Sequence, residues 1–188
     1  MKLLLPNVRL SFPDLWEAVQ FQGAGPFNYR VTLLIPEASP LRKQIDKAIL
    51  DVAKEKWKEK AEKVLAAANA PGGLGTCFND GNNKEYDGYA DHWFLAATRP
   101  QDKGRPAIID RDKSPLAASD GRPYGGCYVN ASVEIWAQDN KWGKSVRAGI
   151  LGVQFSKDGD SFGGGAAVSV DDFENLGMDA EDGTSEFA

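Results

Sequence analysis

The chain has 188 residues, 42% of them hydrophobic, which suffices for one well-buried core and is too little for two comfortable domains. Its longest apolar runs, VTLLI and AGILGV, fall far below the roughly 20 residues that span a bilayer, and Pro6, Asn7 and Arg9 interrupt the N-terminal leucines before a signal-peptide core could form, so membrane insertion and export are both disfavoured. The net charge of −5 hides an asymmetry: seven of the 27 acidic residues fall in 171–188, where there is no Lys or Arg, and the body before it holds 22 basic against 20 acidic residues.

In chain order, LLLPNVRLSF opens as a first strand. FNYRVTLLIP then alternates Phe27, Tyr29, Val31, Leu33 and Ile35 with Asn28, Arg30 and Thr32 until Pro36, the pattern of a half-buried strand. Ser39 is a helix N-cap with Pro40 at the first helical position. Leu41, Ile45, Ala48, Ile49 and Val52 recur at helical spacing and continue into Trp57, Ala61, Val64 and Leu65 until Asn69 and Pro71, which predicts one long amphipathic helix over about 40–69. Its lysines are interleaved with acids, as on a solvated face supported by i,i+4 pairs. Residues 70–91, rich in Gly, Asn and Asp, read as a long loop. HWFLAATR, RPAIIDR, GGCYVNASVEIWAQDN and KSVRAGILGVQFSKDGDSFGG follow as strands separated by polar turns. Five or six strands with a helix between the second and third predict a mainly β, α+β domain over 1–170, a small β-barrel with a helical insertion. The segment 171–188 is too charged and too poor in apolar residues to bury itself, so disorder is expected there.

Chemistry for catalysis is scarce. Cys77 and Cys127 stand fifty positions apart with no thiol or histidine cluster beside them, which disfavours a disulfide framework and a zinc site. The single histidine, His92, adjoins Trp93 and Phe94 and reads as a packed or half-exposed strand residue. GGLGT lacks the Gly-Lys-Ser/Thr ending of a phosphate cradle, and DGDSFGGG is one copy of a pattern that binds calcium only in stacked arrays. DRDK and DDFE offer neighbouring carboxylates to a metal-dependent nuclease, but Arg111 and Lys113 interleave the first and the second lies in the tail. No nucleophile with its base and no ligand cluster is present, so a non-enzymatic protein without cofactor or metal is expected.

Aromatic residues among bases are more distinctive, because single-stranded nucleic acid is held by stacking bases on rings while Lys and Arg follow the phosphates. In YVNASVEIWA, Val129, Ala131, Val133, Ile135 and Ala137 form an apolar face, leaving Tyr128 and Trp136 on the outer one. Trp142 lies between Lys141 and Lys144 in a polar hairpin followed by Arg147. Trp93 with Arg99, Arg105 with Arg111 and Lys113, and Arg30 on the polar side of the second strand complete the candidate DNA-binding set. Within that set Trp93 shares its face with Leu95 and Ala97 and so reads equally as core; outside it, Trp57 lies on the apolar side of the helix, and Trp16 fits either a loop anchor or the binding face.

NVRLSFPDLWEA, FNYRVTLLIP before a Lys-rich helix, IIDRDKSPL, the block YGGCYVNASVEIWAQDNKWGKSVRAGILGVQFSKDGDSFGGG and a closing DDF with an acidic tail together resemble a family of tailed-phage single-stranded DNA-binding proteins, in order and over nearly the whole chain. The resemblance implies a five-stranded OB-fold barrel with a helix inserted between strands, and a role in coating unwound DNA during phage replication and recombination, in the host cytoplasm and often as a dimer. The tail then becomes a candidate DNA mimic and a handle for replication partners through Asp171, Asp172, Phe173, Asp179, Glu181, Asp182, Glu186 and Phe187. The rival readings are a metal-dependent nuclease and a non-catalytic virion or protein-interaction module.

Overall fold

The computed structural model describes residues 1–163, so the tail residues Asp171 to Phe187 lie outside the described residues. Strand β1 (Lys2–Phe21) pairs antiparallel with β2 (Ala24–Pro36) and, through its first half, with β6 (Tyr128–Asn140). On the other side β2 pairs with β4 (His92–Pro100), while β6 forms a long hairpin with β7 (Gly143–Lys157). The ring closes where β7 meets β4 in parallel at Thr98 and Gly149. These five strands form the closed mixed barrel of an OB-fold. Two short strands flank it: β3 (Phe78–Asp80) on the edge of β4 and β5 (Ala107–Ile109) parallel to β7. The first lies in the stretch read as a loop, where only three residues pair and period-2 patterning has no length in which to show.

Alternation fills the barrel. Leu10, Leu33 and Leu95 are neighbours across β1, β2 and β4, and all are fully buried. Val129, Ala131, Val133 and Ile135 of β6 also point inward, which leaves Tyr128, Asn130, Ser132, Glu134 and Trp136 outside as their spacing predicts. Cys77 and Cys127 are buried and unpaired; burial pushes their thiols up, to about 12 and about 11. Beyond the barrel, residues 15–21 of β1 and 24–27 of β2 continue as a two-stranded arm, with three register irregularities between the strands from Ser11 onward.

Pro40 and the Ser39 hydroxyl, which accepts from the Leu41 N–H at 3.3 Å, start helix α1 (Pro40–Trp57). The continuous helix expected over 40–69 is interrupted: Lys58 takes φ +53°, a 3₁₀ turn spans Lys58–Lys60, and α2 (Ala61–Asn69) leaves in a new direction. The break lets α1 lie on β6 and α2 on β7, following a curved surface that one straight cylinder would not track. Trp57, buried as its position on the apolar side predicts, donates Nε1–H to Asp139 Oδ2 at 3.1 Å, and Lys144 Nζ reaches the same oxygen at 2.8 Å. Lys144 and Trp57 together hold the Asp139 carboxyl below the usual range, and they tie the helix to the stem of the β6–β7 hairpin. Among the described residues no helix is long and apolar enough to cross a membrane.

Leu33 sits at the centre of this core. Leu33→Ala is expected to cost about 2–5 kcal/mol in urea unfolding, whereas Trp142→Ala at the exposed hairpin tip stays within about 0.5 kcal/mol of the parent.

Candidate nucleic-acid interface

Because Leu10, Leu33 and Leu95 face inward, their neighbours in register face out, in rows that run Arg9–Leu34–Phe94, Ser11–Thr32–Ala96 and Asp14–Arg30–Thr98. In an OB-fold the outer surface of the second and third barrel strands, here β2 and β4, is the surface that takes oligonucleotides. At one end of it the 84–91 segment folds over Leu34. Gly88 makes this possible: it adopts φ +79°, and a Cβ there would come within 2.4 Å of the Phe162 ring.

Four aromatic rings meet on this surface. Tyr89 is central, 5.3 Å from Tyr86 and 5.5 Å from Phe94 between centroids, while Phe12 stands edge-on to Tyr86 at 5.2 Å. The Tyr89 hydroxyl donates to Ser11 Oγ at 3.4 Å, and burial pushes its pKa up, so it remains a donor. Phe12 is held at φ +46°, a conformation costing a bulky L-residue about 1–3 kcal/mol, and the kink turns its ring outward. Lys84 Nζ lies 6.0 Å from the Phe94 ring. Arg9 stacks on Phe162 at 4.3 Å and donates to the carbonyls of Gly126 and Asp160, which straps residues 158–163 against the barrel.

The surface continues through the Thr98–Gly149 contact onto β7 and β6. A Cβ on Gly149 would lie 3.2 Å from the Trp136 ring, so the indole rests directly over that glycine. Trp136 shares a cleft with Thr98, Arg99 and Lys103, and Arg147 is its cross-strand neighbour. Arg99 donates to the carbonyls of Gly104 and Lys103, both at 2.7 Å, and so folds the turn that carries Lys103 and Arg105. Arg30 forms an ion pair with Asp14 but keeps about two-fifths of its side chain exposed.

Of the residues singled out in the sequence, Arg30, Arg99, Trp136 and Arg147 therefore fall on one continuous face. Arg105 is close to it, 5.4 Å above the Trp16 ring at the base of the arm. Trp93 turns to the helix side, between Phe78 at 5.1 Å and Arg42 at 4.2 Å. Tyr128 lies beside Lys157 at 4.5 Å and Arg9 at 5.8 Å. Arg111 lies 5.4 Å from the ring of Phe155, with Lys113 in the same 110–115 turn. Trp142 is 74% exposed at the hairpin tip with Lys141 5.0 Å from its ring, and Lys144 is engaged by Asp139. His92, half-buried at the start of β4, places Nδ1 2.7 Å from the Ala90 carbonyl. Among the described residues no three His, Cys, Asp or Glu side chains converge to hold a metal ion.

Phe12, Tyr86, Tyr89, Phe94 and Lys84 are absent from the sequence-derived set. For the tyrosines a signal existed: two large aromatics three positions apart in the polar stretch NNKEYDGYAD are as conspicuous as the Trp142 that was selected on that ground. Exposed ring edges beside guanidinium and ammonium groups form a surface on which planar bases stack while the cations meet phosphates.

Comparison with known proteins fits this geometry. Residues 1–185 match the family model described as the Enterobacter phage Enc34 ssDNA-binding protein. Protein p50 of Acyrthosiphon pisum secondary endosymbiont phage 1 is 48% identical over 185 residues, 97% of each chain. Among solved structures, the single-stranded DNA-binding protein from bacteriophage Enc34 in complex with ssDNA superposes with a TM-score of 0.69 at 24% identity, over 86% of this chain and 89% of that one. The single-stranded DNA-binding protein gp2.5 of bacteriophage T7 shares the fold with a TM-score of 0.57 at 16% identity, over 96% of this chain and 100% of that one. The chain belongs to the Enc34-type family of phage ssDNA-binding proteins, a family of non-catalytic DNA-binding proteins.

Proposed function

We propose that this protein coats unwound single-stranded DNA in the host cytoplasm during phage replication and recombination, without sequence preference and without chemistry on the strand. One observation carries the reading: the outer face of β2 and β4 continues across the barrel closure to Trp136, so exposed aromatics and flanking cations follow one another along a single path. The strand runs from Phe12, Tyr86 and Phe94 past Thr32, Arg30 and Thr98 to Trp136, with Lys84, Arg99, Lys103 and Arg147 meeting phosphates. Trp142 and Lys141 in the β6–β7 turn, and Arg105 with Trp16 at the arm, extend it at the loops that flank the binding face of this fold. Trp93, Tyr128, Arg111 and Lys113 are outside this path and act in packing or as outlying contacts.

The body carries 22 basic against 20 acidic residues, so affinity depends on local cations and stacking rather than on overall attraction. The tail supplies the regulation. A polyanion joined to the barrel competes for the same cations at high effective concentration until DNA displaces it, and Phe173 and Phe187 give partner proteins apolar handles within it. A dimer is the assembly to look for.

Full-length protein is expected to bind oligothymidine with quenching of tryptophan fluorescence that fades as salt is added. Trp136→Ala and Phe12→Ala each weaken binding by about 1–3 kcal/mol, and Arg147→Ala lowers the slope of log K against log salt by roughly 0.7. Wild-type affinity in all three variants would show that the strand lies elsewhere. A version ending at Val170 should bind oligothymidine more tightly than the full chain, with the gap closing at high salt. If truncation leaves affinity unchanged, competition by the tail is wrong and recruitment of partners is what remains of its role.

A further inference from the structure

A cavity of about 390 Å³ opens on the outer face of β1, with Phe12, Tyr86 and Phe162 among its lining side chains. Phe12 and Tyr86 are 52% and 54% exposed, and their rings stand nearly perpendicular, at 79°. Such an edge-to-face pair leaves one ring face open to a planar guest. The remaining wall is fixed: the Phe162 N–H donates to the Gly125 carbonyl at 3.0 Å, and the Arg9 guanidinium lies across its ring.

The lining is also acidic, because Glu85 and Asp87 contribute to it. Asp87 Oδ2 accepts the Gly163 N–H at 3.2 Å, which positions the side chain and leaves Oδ1 available. Glu85 has no ion-pair or hydrogen-bond partner among the described residues. Arg9, which lies across the Phe162 ring, is occupied by the carbonyls of Gly126 and Asp160, and Lys84 is turned toward the Phe94 ring at 6.0 Å. Two uncompensated carboxylates at an aromatic slot suit a phosphate badly. They suit the edge of a base that donates. A carboxylate only accepts, and the exocyclic amino groups of cytosine, adenine and guanine are donors, whereas the one N–H on thymine's pairing edge is flanked by carbonyl oxygens that a carboxylate repels.

We infer that this cavity holds one unstacked nucleobase of the bound strand, and that Glu85 and Asp87 select bases bearing an exocyclic amino group over thymine. The inference rests on the single-stranded DNA reading above and adds a composition bias to it. One selective position among several stacking contacts tilts affinity by composition while any sequence can still be coated.

The test is the ratio of affinities of the full chain for labelled oligodeoxycytidine and oligothymidine of equal length, by anisotropy at neutral pH and fixed salt. Oligodeoxycytidine is expected to bind about three- to tenfold more tightly. Oligodeoxyuridine, which lacks both the amine and the methyl group, should behave like oligothymidine. The double variant Glu85→Gln, Asp87→Asn should bring the ratio to about one, because an amide donates as readily as it accepts. A ratio is read on one protein sample, so a loss of folded fraction cancels from it. Equal wild-type affinity for the two strands, or a preference that survives the double variant, overturns the slot and leaves DNA binding standing. Absence of binding to either strand overturns both readings together.

Discussion

The single parallel contact between Thr98 of β4 and Gly149 of β7 closes the barrel, and the rest of the molecule depends on it. Without it the sheet would lack its direct pairing between β4 and β7, leaving the backbone of Cys77, bonded to Ala96 and Val146, as the bridge between them. Closure sets two outward surfaces side by side: the aromatic end built on β2 and β4, and the Trp136–Arg147 pair on β6 and β7. Gly149 is what allows so close an approach. A Cβ there would touch the Thr98 carbonyl oxygen at 3.4 Å and come within 3.2 Å of the indole, which would have to give by a few tenths of an ångström. The same glycine thus serves a structural seam and the seat of the Trp136 indole.

Much of this was legible in the sequence because the strands that build the barrel are long and alternate cleanly. The face of β6 and the start of the helix at Ser39 and Pro40 followed from spacing and capping chemistry. Interruption of the helix at Lys58 did not, because the apolar positions keep helical spacing through Trp57, Ala61 and Ala68 while the backbone turns. Period describes which side is buried and carries no record of direction. The aromatic end of the interface was missed for a related reason. Phe12 points outward only because β1 bulges there, and Tyr86 and Tyr89 come from a polar loop whose landing place is fixed by distant partners, Ser11 and Phe162. Trp93 was ambiguous in the sequence because it alternates with core residues, and packing against Phe78 and Arg42 accounts for that spacing.

Part of the positive charge near this face is engaged within the fold. Two cations near the surface already have work within the fold: Arg9 straps the 158–163 segment and Lys144 neutralises Asp139. A surface of this kind attracts a polyanion only where charge is left over.

The arm formed by the far halves of β1 and β2 has a different consequence. Past Ser11, β1 has no partner on its outer side among the described residues, and β2 lacks one before Asn28, so the ribbon exposes two strand edges together with Phe21 and Phe27. Exposed edges beside aromatic side chains are templates for uncontrolled sheet growth. The irregular register between Ser11 and Phe21 guards against it: each shift breaks the even ladder that a neighbouring copy would need, and Pro13, Pro26 and the charge on Glu17 deny it donors and a dry surface. What looks like imperfect pairing in this ribbon protects its open edges.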